Sequence, residues 1–310
     1  MTRTVQTDNA RYVVRAADPA LTGGLVTSIT PEIAGWRYSG IEVRELADGE
    51  SRAWTLDRDE AVVLPLRGSC GVHVATSRGE VVEATLAGRS SVFSGPTDFV
   101  YAPLGSVVTV TGVGPVRLAL GTARADRTLP VRVVPASDVR VELRGAGNCS
   151  RQVNNYTLAT DVEVDHLLMC EVVTPGGNWS SYPPHKHDEE TADERELEEI
   201  YYFEVADGPT GPGRAYHRTY GTPRRPIEVL AEVCAGDVAL VPHGYHGPCM
   251  AAPGFDLYYL NVMAGRSAEW LMVDDPAFGW VRAAWAGQAV DERLTDVTTH
   301  PQPAQEKRHR

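Results

Sequence analysis

The sequence predicts an all-β protein made of two strand-rich units in tandem, and three observations carry that prediction. Helical periodicity is weak, and 29 glycines and 21 prolines interrupt the chain. Short runs rich in Val, Leu, Tyr and Thr recur between those turn residues, as in a sandwich or barrel. One half of the chain also faintly repeats the pattern of the other. A length of 310 residues suits two domains of about 100–200 residues each, and a hydrophobic fraction of 43% lets both bury cores.

In the first half the strands read as Ala61-Val62-Val63-Leu64-Pro65-Leu66, Asp98-Phe99-Val100-Tyr101 and Val107-Val108-Thr109-Val110. The duplication lies around the second of these. Residues 92–103 run turn, strand, proline, with Gly95, Asp98 and Pro103 as landmarks, and residues 233–242 do the same with Gly236, Asp237 and Pro242. Pro130, Pro135, Gly145 and Gly147 cluster between the halves, which places a first unit at 1–140 and a second at 141–286. From residue 287 apolar periodicity lapses, and the chain ends Pro301-Gln302-Pro303-Ala304-Gln305-Glu306-Lys307-Arg308-His309-Arg310; 287–310 is expected to be a mobile tail.

Composition excludes several classes. No apolar run approaches the ~20 residues of a membrane-spanning helix, and the first ten residues lack the apolar core of a secretory signal, so a cytoplasmic protein with no membrane partner is expected. Five scattered cysteines (Cys70, Cys149, Cys170, Cys234, Cys249) form no CxxC pair and read as reduced thiols. A net charge of −12 opposes nucleic-acid binding. An acidic metabolite is still admissible, provided a cation or metal is placed locally. Association into a homo-oligomer through exposed strands is compatible with the sequence.

The chemistry concentrates in Pro175-Gly176-Gly177-Asn178-Trp179-Ser180-Ser181-Tyr182-Pro183-Pro184-His185-Lys186-His187-Asp188. On a strand, residues two apart share a face, so His185 and His187 point together while Lys186 points away. Two converging imidazoles make a metal chelate. The next strand, Leu197-Glu198-Glu199-Ile200-Tyr201-Tyr202-Phe203-Glu204, opens with carboxylates, and His243-Gly244-Tyr245-His246 follows later. Strict alternation places Glu199, Tyr201, Phe203 and Val205 on one face and Glu198 on the other. The acidic run from Asp188 to Glu196 reads as a solvated loop, and His73, His166, His217, His300 and His309 read as surface or hydrogen-bonded core histidines. His243 is ambiguous, three residues before His246.

The order HxH, glutamate, later histidine is that of the cupin barrel, and longer stretches resemble one family. They are residues 177–188, the strand from Leu197 to Phe203, and Gly254-Phe255-Asp256-Leu257-Tyr258-Tyr259-Leu260-Asn261-Val262-Met263-Ala264-Gly265, with a fainter likeness at Gly35-Trp36-Arg37-Tyr38-Ser39-Gly40. In these the chain resembles the 5-deoxyglucuronate isomerase family of bacterial inositol breakdown, a relative of the 4-deoxy-5-hexosulose-uronate ketol-isomerases of pectin breakdown. The resemblance implies a bicupin, two β-barrels in tandem (double-stranded β-helices), with the metal in the second and the first metal-free. Carried across, the ligands fall on His185, His187, Glu198 and His246. The family pattern sets apolar or aromatic residues three, four and five positions after its glutamate; Glu198 meets this with Tyr201, Tyr202 and Phe203. The chain departs from the family at Arg266, where proline is expected, and at Phe278, where histidine is more usual.

The implied activity is aldose–ketose isomerisation of 5-deoxy-D-glucuronate to 5-dehydro-2-deoxy-D-gluconate. The cofactor is one divalent transition metal, zinc first, with Mn, Fe or Ni admitted by the same ligands. Tyr202, Tyr245 and His243 are the candidate proton-transfer groups, with Glu199 another if it turns inward without binding metal. Arg151, Arg225 and Lys186 are the candidate cations for the carboxylate of a sugar-acid substrate. Rival readings are a ketol-isomerase acting on 4-deoxy-L-threo-5-hexosulose uronate, a cupin dioxygenase, and a non-catalytic sugar-binding bicupin.

Overall fold

Successive residues of a strand face opposite sides of its sheet, so a strand apolar at every position needs cover on both. The strand Asp59–Thr76 is of this kind. Ala61, Val63, Cys70, Val72 and Val74 enter one core, whereas Val62, Leu64 and Leu66 enter another. Register shifts around Arg67 change which alternate residues face inward. Gly68 is required there: its φ is +84°, and a Cβ would stand 2.3 Å from the Pro115 carbonyl oxygen. In the computed structural model, which describes residues 7–158, 160 and 162–294, the first core fills an N-terminal β unit and the second joins it to a C-terminal one.

The N-terminal unit is one antiparallel sheet of eight strands, in the order Leu25–Ile29, Ser39–Leu46, Ser106–Arg124, Asp59–Thr76, Phe99–Ala102, Arg132–Val134. Ser51–Thr55 pairs beside Ser106–Arg124, and Val81–Arg89 beside Asp59–Thr76. The C-terminal unit has two sheets. One runs Val13–Val14, Val238–Val241, Leu197–Val205, Leu257–Gly265, Leu168–Thr174, Arg151–Asn155, Arg140–Arg144. The other runs Glu228–Val233, Ala215–Tyr220, Tyr245–Ala251, His185–Lys186, Val273–Asp274, with Trp179–Ser180 also beside Tyr245–Ala251. A core of Leu168, Tyr201, Phe203, Val229, Val233, Cys249 and Tyr259 draws on both sheets.

The all-β expectation holds, and the units repeat a strand order. Ser39–Leu46, Ser106–Arg124, Asp59–Thr76 and Phe99–Ala102 are neighbours in that order, as are Leu168–Thr174, Leu257–Gly265, Leu197–Val205 and Val238–Val241. The duplication seen in sequence falls on the matching strands Phe99–Ala102 and Val238–Val241. The expected boundaries need adjusting at both ends. Val13–Val14 pairs with Val238–Val241 and so belongs to the C-terminal sheet. Residues 287–294 do not stand free: Gly147 N donates to Ala289 O at 2.8 Å, and Asn178 Nδ2 to Asp291 Oδ2 at 2.8 Å. The rest of the expected tail, 295–310, with His300 and His309, lies outside the described residues. No helix among the described residues is long and apolar enough to cross a membrane.

Candidate metal centre

His185 and His246 are direct partners across antiparallel strands, and His187 follows two residues on, its carbonyl accepting from Leu197 N at 2.9 Å. That bond lays the strand Leu197–Val205 alongside the histidine pair. Its Leu197, Tyr201, Phe203 and Val205 turn into the C-terminal core, and Glu199, in phase with them, brings a buried carboxylate to the imidazoles. Glu199 Oε2 lies 3.0 Å from His187 Nε2 and 2.9 Å from His246 Nε2. The ring centres of His185 and His187 lie 4.5 Å and 4.6 Å from that of His246.

Each imidazole is oriented from behind. His185 Nδ1 faces Pro183 O at 3.4 Å, His187 Nδ1 faces Leu197 O at 3.2 Å, and His246 Nδ1 faces Gly244 O at 3.2 Å. A carbonyl at Nδ1 calls for the proton there and leaves Nε2 with its lone pair for a ligand role. His246 Nε2, although near Glu199, is out of line for a hydrogen bond and is buried without a partner. Burial lowers the pKa of His185, and the neighbouring His246 and His187 lower it further. Burial opposes charging His187 too, but the hydrogen bond and charge of Glu199 outweigh it and raise its pKa. Burial alone would raise the Glu199 pKa; the charges of His246 and His187 and the hydrogen bond from His187 hold it well below the usual carboxylate range. Three imidazole nitrogens and one carboxylate around a buried point are a donor set for a divalent first-row ion, and the three histidines offer ligand atoms within 4.8 Å of one another.

Glu198, expected as the ligand, is on the other face. Its Oε1 accepts from Arg37 N at 2.5 Å and its Oε2 from Tyr38 N and Ser39 N at 2.8 and 3.0 Å, so it ties the two units together and Glu199 takes the place beside the histidines. Tyr202 shares the outward face of Glu198 and bonds Glu204. Tyr245 packs against Tyr220, and His243 Nε2 faces Pro226 O at 3.5 Å. Arg225 pairs with Asp188 at 3.2 Å. Lys186 is enclosed by Asp188 at 2.8 Å and Glu194 at 2.8 Å, so part of the acidic run read as a solvated loop is buried. His217 fits the bland reading, fully buried and bonded to Thr219 at 2.9 Å.

Of the three expected cations, Arg151 is the one that lines a cavity beside the imidazoles. A cavity of about 540 Å³ opens onto His185 and Glu199 and is lined also by Arg151, Arg144, Arg282, Tyr201, Tyr259 and Ser181. Ser181 Oγ lies 3.2 Å from the Tyr201 hydroxyl and 3.0 Å from that of Tyr259. Burial raises both phenol pKa values, keeping the hydroxyls protonated as donors. Ser181 has φ 47°, and its carbonyl oxygen would stand 1.8 Å from a Cβ at residue 247, which is glycine with φ +92°. Tyr201 and Tyr259 were missed in sequence, although Tyr201 lies one alternation step beyond Glu199. Nothing local marked Arg144, on the strand beside Arg151, or Arg282, which comes from a distant segment.

A family model described as the KduI/IolB family matches residues 13–281. The chain belongs to this family. This KduI/IolB member is 41% identical over 275 residues to the 5-deoxy-glucuronate isomerase of Geobacillus thermodenitrificans (strain NG80-2), covering 88% of this chain and 96% of that one. It is 36% identical over 259 residues to the 5-deoxy-glucuronate isomerase of Bacillus subtilis (strain 168), covering 83% and 92%. Among solved structures, an IolB-like protein from Salmonella typhimurium LT2 superposes with a TM-score of 0.78 at 32% identity, over 87% of this chain and 99% of that one. Oxalate decarboxylase from Bacillus subtilis superposes with a TM-score of 0.57 at 12% identity, over 90% and 84%, a likeness of fold alone. The fold is thus of the β-rich cupin kind.

Proposed function

We propose that the chain is an aldose–ketose isomerase converting 5-deoxy-D-glucuronate to 5-dehydro-2-deoxy-D-gluconate in myo-inositol degradation. Its two units form a bicupin, and a divalent metal is held in the second by His185, His187, Glu199 and His246. The observation that carries the reading is the meeting of three histidines and a carboxylate at the wall of a cavity of about 540 Å³, in a chain whose named relatives are 5-deoxy-glucuronate isomerases. The repeated strand order supports the bicupin. The orphaned Nε2 of His246 and the carbonyls behind each Nδ1 fit a metal at this point.

When bound, a divalent ion supplies Lewis acidity toward the substrate carbonyl and its neighbouring hydroxyl, stabilising the charge that develops when a C–H proton is lost. Zinc is the first expectation, and Mn, Fe or Ni suit the same donors. The chain's own contribution is placement: Tyr201 and Tyr259, kept protonated, donate to substrate oxygens, and the enclosing cavity limits water. None of the five cysteines forms a disulfide, which suits a reducing compartment such as the cytoplasm.

Dialysis against a strong chelator should abolish isomerisation of 5-deoxyglucuronate, and a divalent ion should restore it. Turnover should persist under argon and be slower on 4-deoxy-L-threo-5-hexosulose uronate. Full activity in metal-free protein rejects the centre, and a requirement for oxygen replaces isomerisation with dioxygenase chemistry.

A further inference from the structure

An acidic protein of net charge −12 has gathered four arginines around one cavity: Arg140, Arg144, Arg151 and Arg282. Three have carboxylate partners. Arg140 and Arg144 share Glu142 at 2.5 and 2.7 Å, and Arg282 holds Asp274 through two bonds of 2.5 and 2.8 Å. Arg151 is different. It is only 8% exposed, and among the described residues no carboxylate pairs with it. Its Nη1 donates to the Cys149 carbonyl at 3.1 Å, and its guanidinium lies 5.6 Å from the ring centre of Trp285, which Arg282 also faces at 5.8 Å.

The strand register makes this arrangement costly. Arg151 lies directly across from Arg144 on the neighbouring strand, and like charges so placed repel. A buried cation without a counter-ion is destabilising unless an anion joins it. The planar guanidinium matches a carboxylate through two parallel hydrogen bonds. Gly145 is part of the fit, since a Cβ there would stand 2.7 Å from Arg151 Nη1.

We infer that Arg151 binds the carboxylate of the sugar acid, so that the substrate lies with its acid end at Arg151 and its carbonyl end toward His185 and Glu199. The acid subsite stands on the geometry of Arg151 alone; the placement of the carbonyl end rests on the isomerase reading. Burial, with Arg144 and Arg282 nearby, pulls the Arg151 pKa down to about 10, which still leaves it charged at neutral pH. The site therefore selects acids over neutral sugars of the same length.

Calorimetry on the metal-loaded protein with gluconate and with its neutral counterpart glucitol tests the subsite without turnover. Wild type should favour the acid, and Arg151→Gln should lose that preference by roughly tenfold to a hundredfold, the range for a charge-assisted pair, with metal content unchanged. Arg151→Lys should recover part of it. In kinetics, Arg151→Gln should raise KM for 5-deoxyglucuronate more than it lowers kcat, while KM for neutral 5-deoxyglucose stays as in wild type. Equal binding of gluconate and glucitol by wild type overturns the inference, as does an unchanged preference in Arg151→Gln. Should Arg151→Gln not fold, an intermediate preference in Arg151→Lys upholds it and an undiminished one overturns it. Acid binding through Arg151 without any turnover of 5-deoxyglucuronate leaves the subsite standing and sinks the isomerase reading instead.

Discussion

Glu198 and Glu199 are neighbours in sequence with opposite surroundings, and one atom-level difference separates their substitutions. Glu199→Gln replaces a carboxylate oxygen that meets two imidazoles, His187 at 3.0 Å and His246 at 2.9 Å. It should lose bound metal and with it turnover, read by elemental analysis and assay. Glu198→Gln should keep its metal, because its carboxylate accepts from the backbone of residues 37–39, on the face away from the imidazoles. There an amide nitrogen would confront at least one N–H donor, a loss of about 1–2 kcal/mol in denaturant unfolding. Metal loss in Glu198→Gln with retention in Glu199→Gln would reverse the assignment. Both readings of this strand were available from the sequence. Spacing by family pattern favoured Glu198, yet in a strand buried on both faces aromatic residues follow either glutamate. Alternation is backbone geometry, and it decided for Glu199. The His185 and His187 pair was legible because both lie in one local stretch. Arg282 was not, because only the fold brings it to the cavity.

At the level of elements, the strand His185–Lys186 has two working faces. Lys186, turned from the cavity, is held by Asp188 and Glu194, both almost wholly buried. Asp188 Oδ2 also accepts from Gly244 N at 2.9 Å. One ion cluster thereby braces the segment carrying His187 and the turn leading to His246. Burial disfavours the Lys186 charge, but hydrogen bonds to Asp188 and Glu194 prevail and raise its pKa. Lys186→Met would leave the buried carboxylates of Asp188 and Glu194 facing each other without the lysine between them, with the partly exposed Arg225 still on Asp188. A destabilisation of about 3–5 kcal/mol is expected in urea unfolding, together with weaker metal retention during dialysis. A wild-type midpoint would show the cluster to be dispensable. This element misled the sequence reading because a run such as Asp188-Glu189-Glu190 is usually solvated. Burial of Asp188 and Glu194 depends on a lysine whose strand neighbours are metal-ligand candidates, and that coupling has no local signature.

The whole molecule is held together by polar anchors set in a shared apolar layer. Two units and their duplication were legible from turn residues and short apolar runs, whereas the crossing of Val13–Val14 into the far sheet was not, since two residues carry no period. Between the units, Ile41, Val62, Leu64, Tyr101 and Ala119 pack in one cluster with Ile200, Tyr202, Tyr258 and Leu260. Glu60, from the N-terminal unit, accepts from the Tyr101 hydroxyl and from the backbone N–H groups of Asp165, His166 and Leu167. Glu171, from the C-terminal unit, takes a two-pronged bond from Arg89 at 2.7 and 2.8 Å, with Asn154 and Tyr258 at 2.6 and 2.9 Å. Because the apolar layer belongs to both units, neither can unfold without exposing the other, and calorimetry should show one transition. Arg89→Ala strands a fully buried carboxylate between the units and should cost about 3–5 kcal/mol while leaving the unfolding a single step. Replacing both partners, Arg89→Met with Glu171→Leu, removes the uncompensated charge but still orphans the Asn154 and Tyr258 donors, so it should restore only part of that loss. Two separate transitions in the wild type would show that the interface does not couple the units, and an equal loss in the single and double variants would place the cost in packing instead of charge.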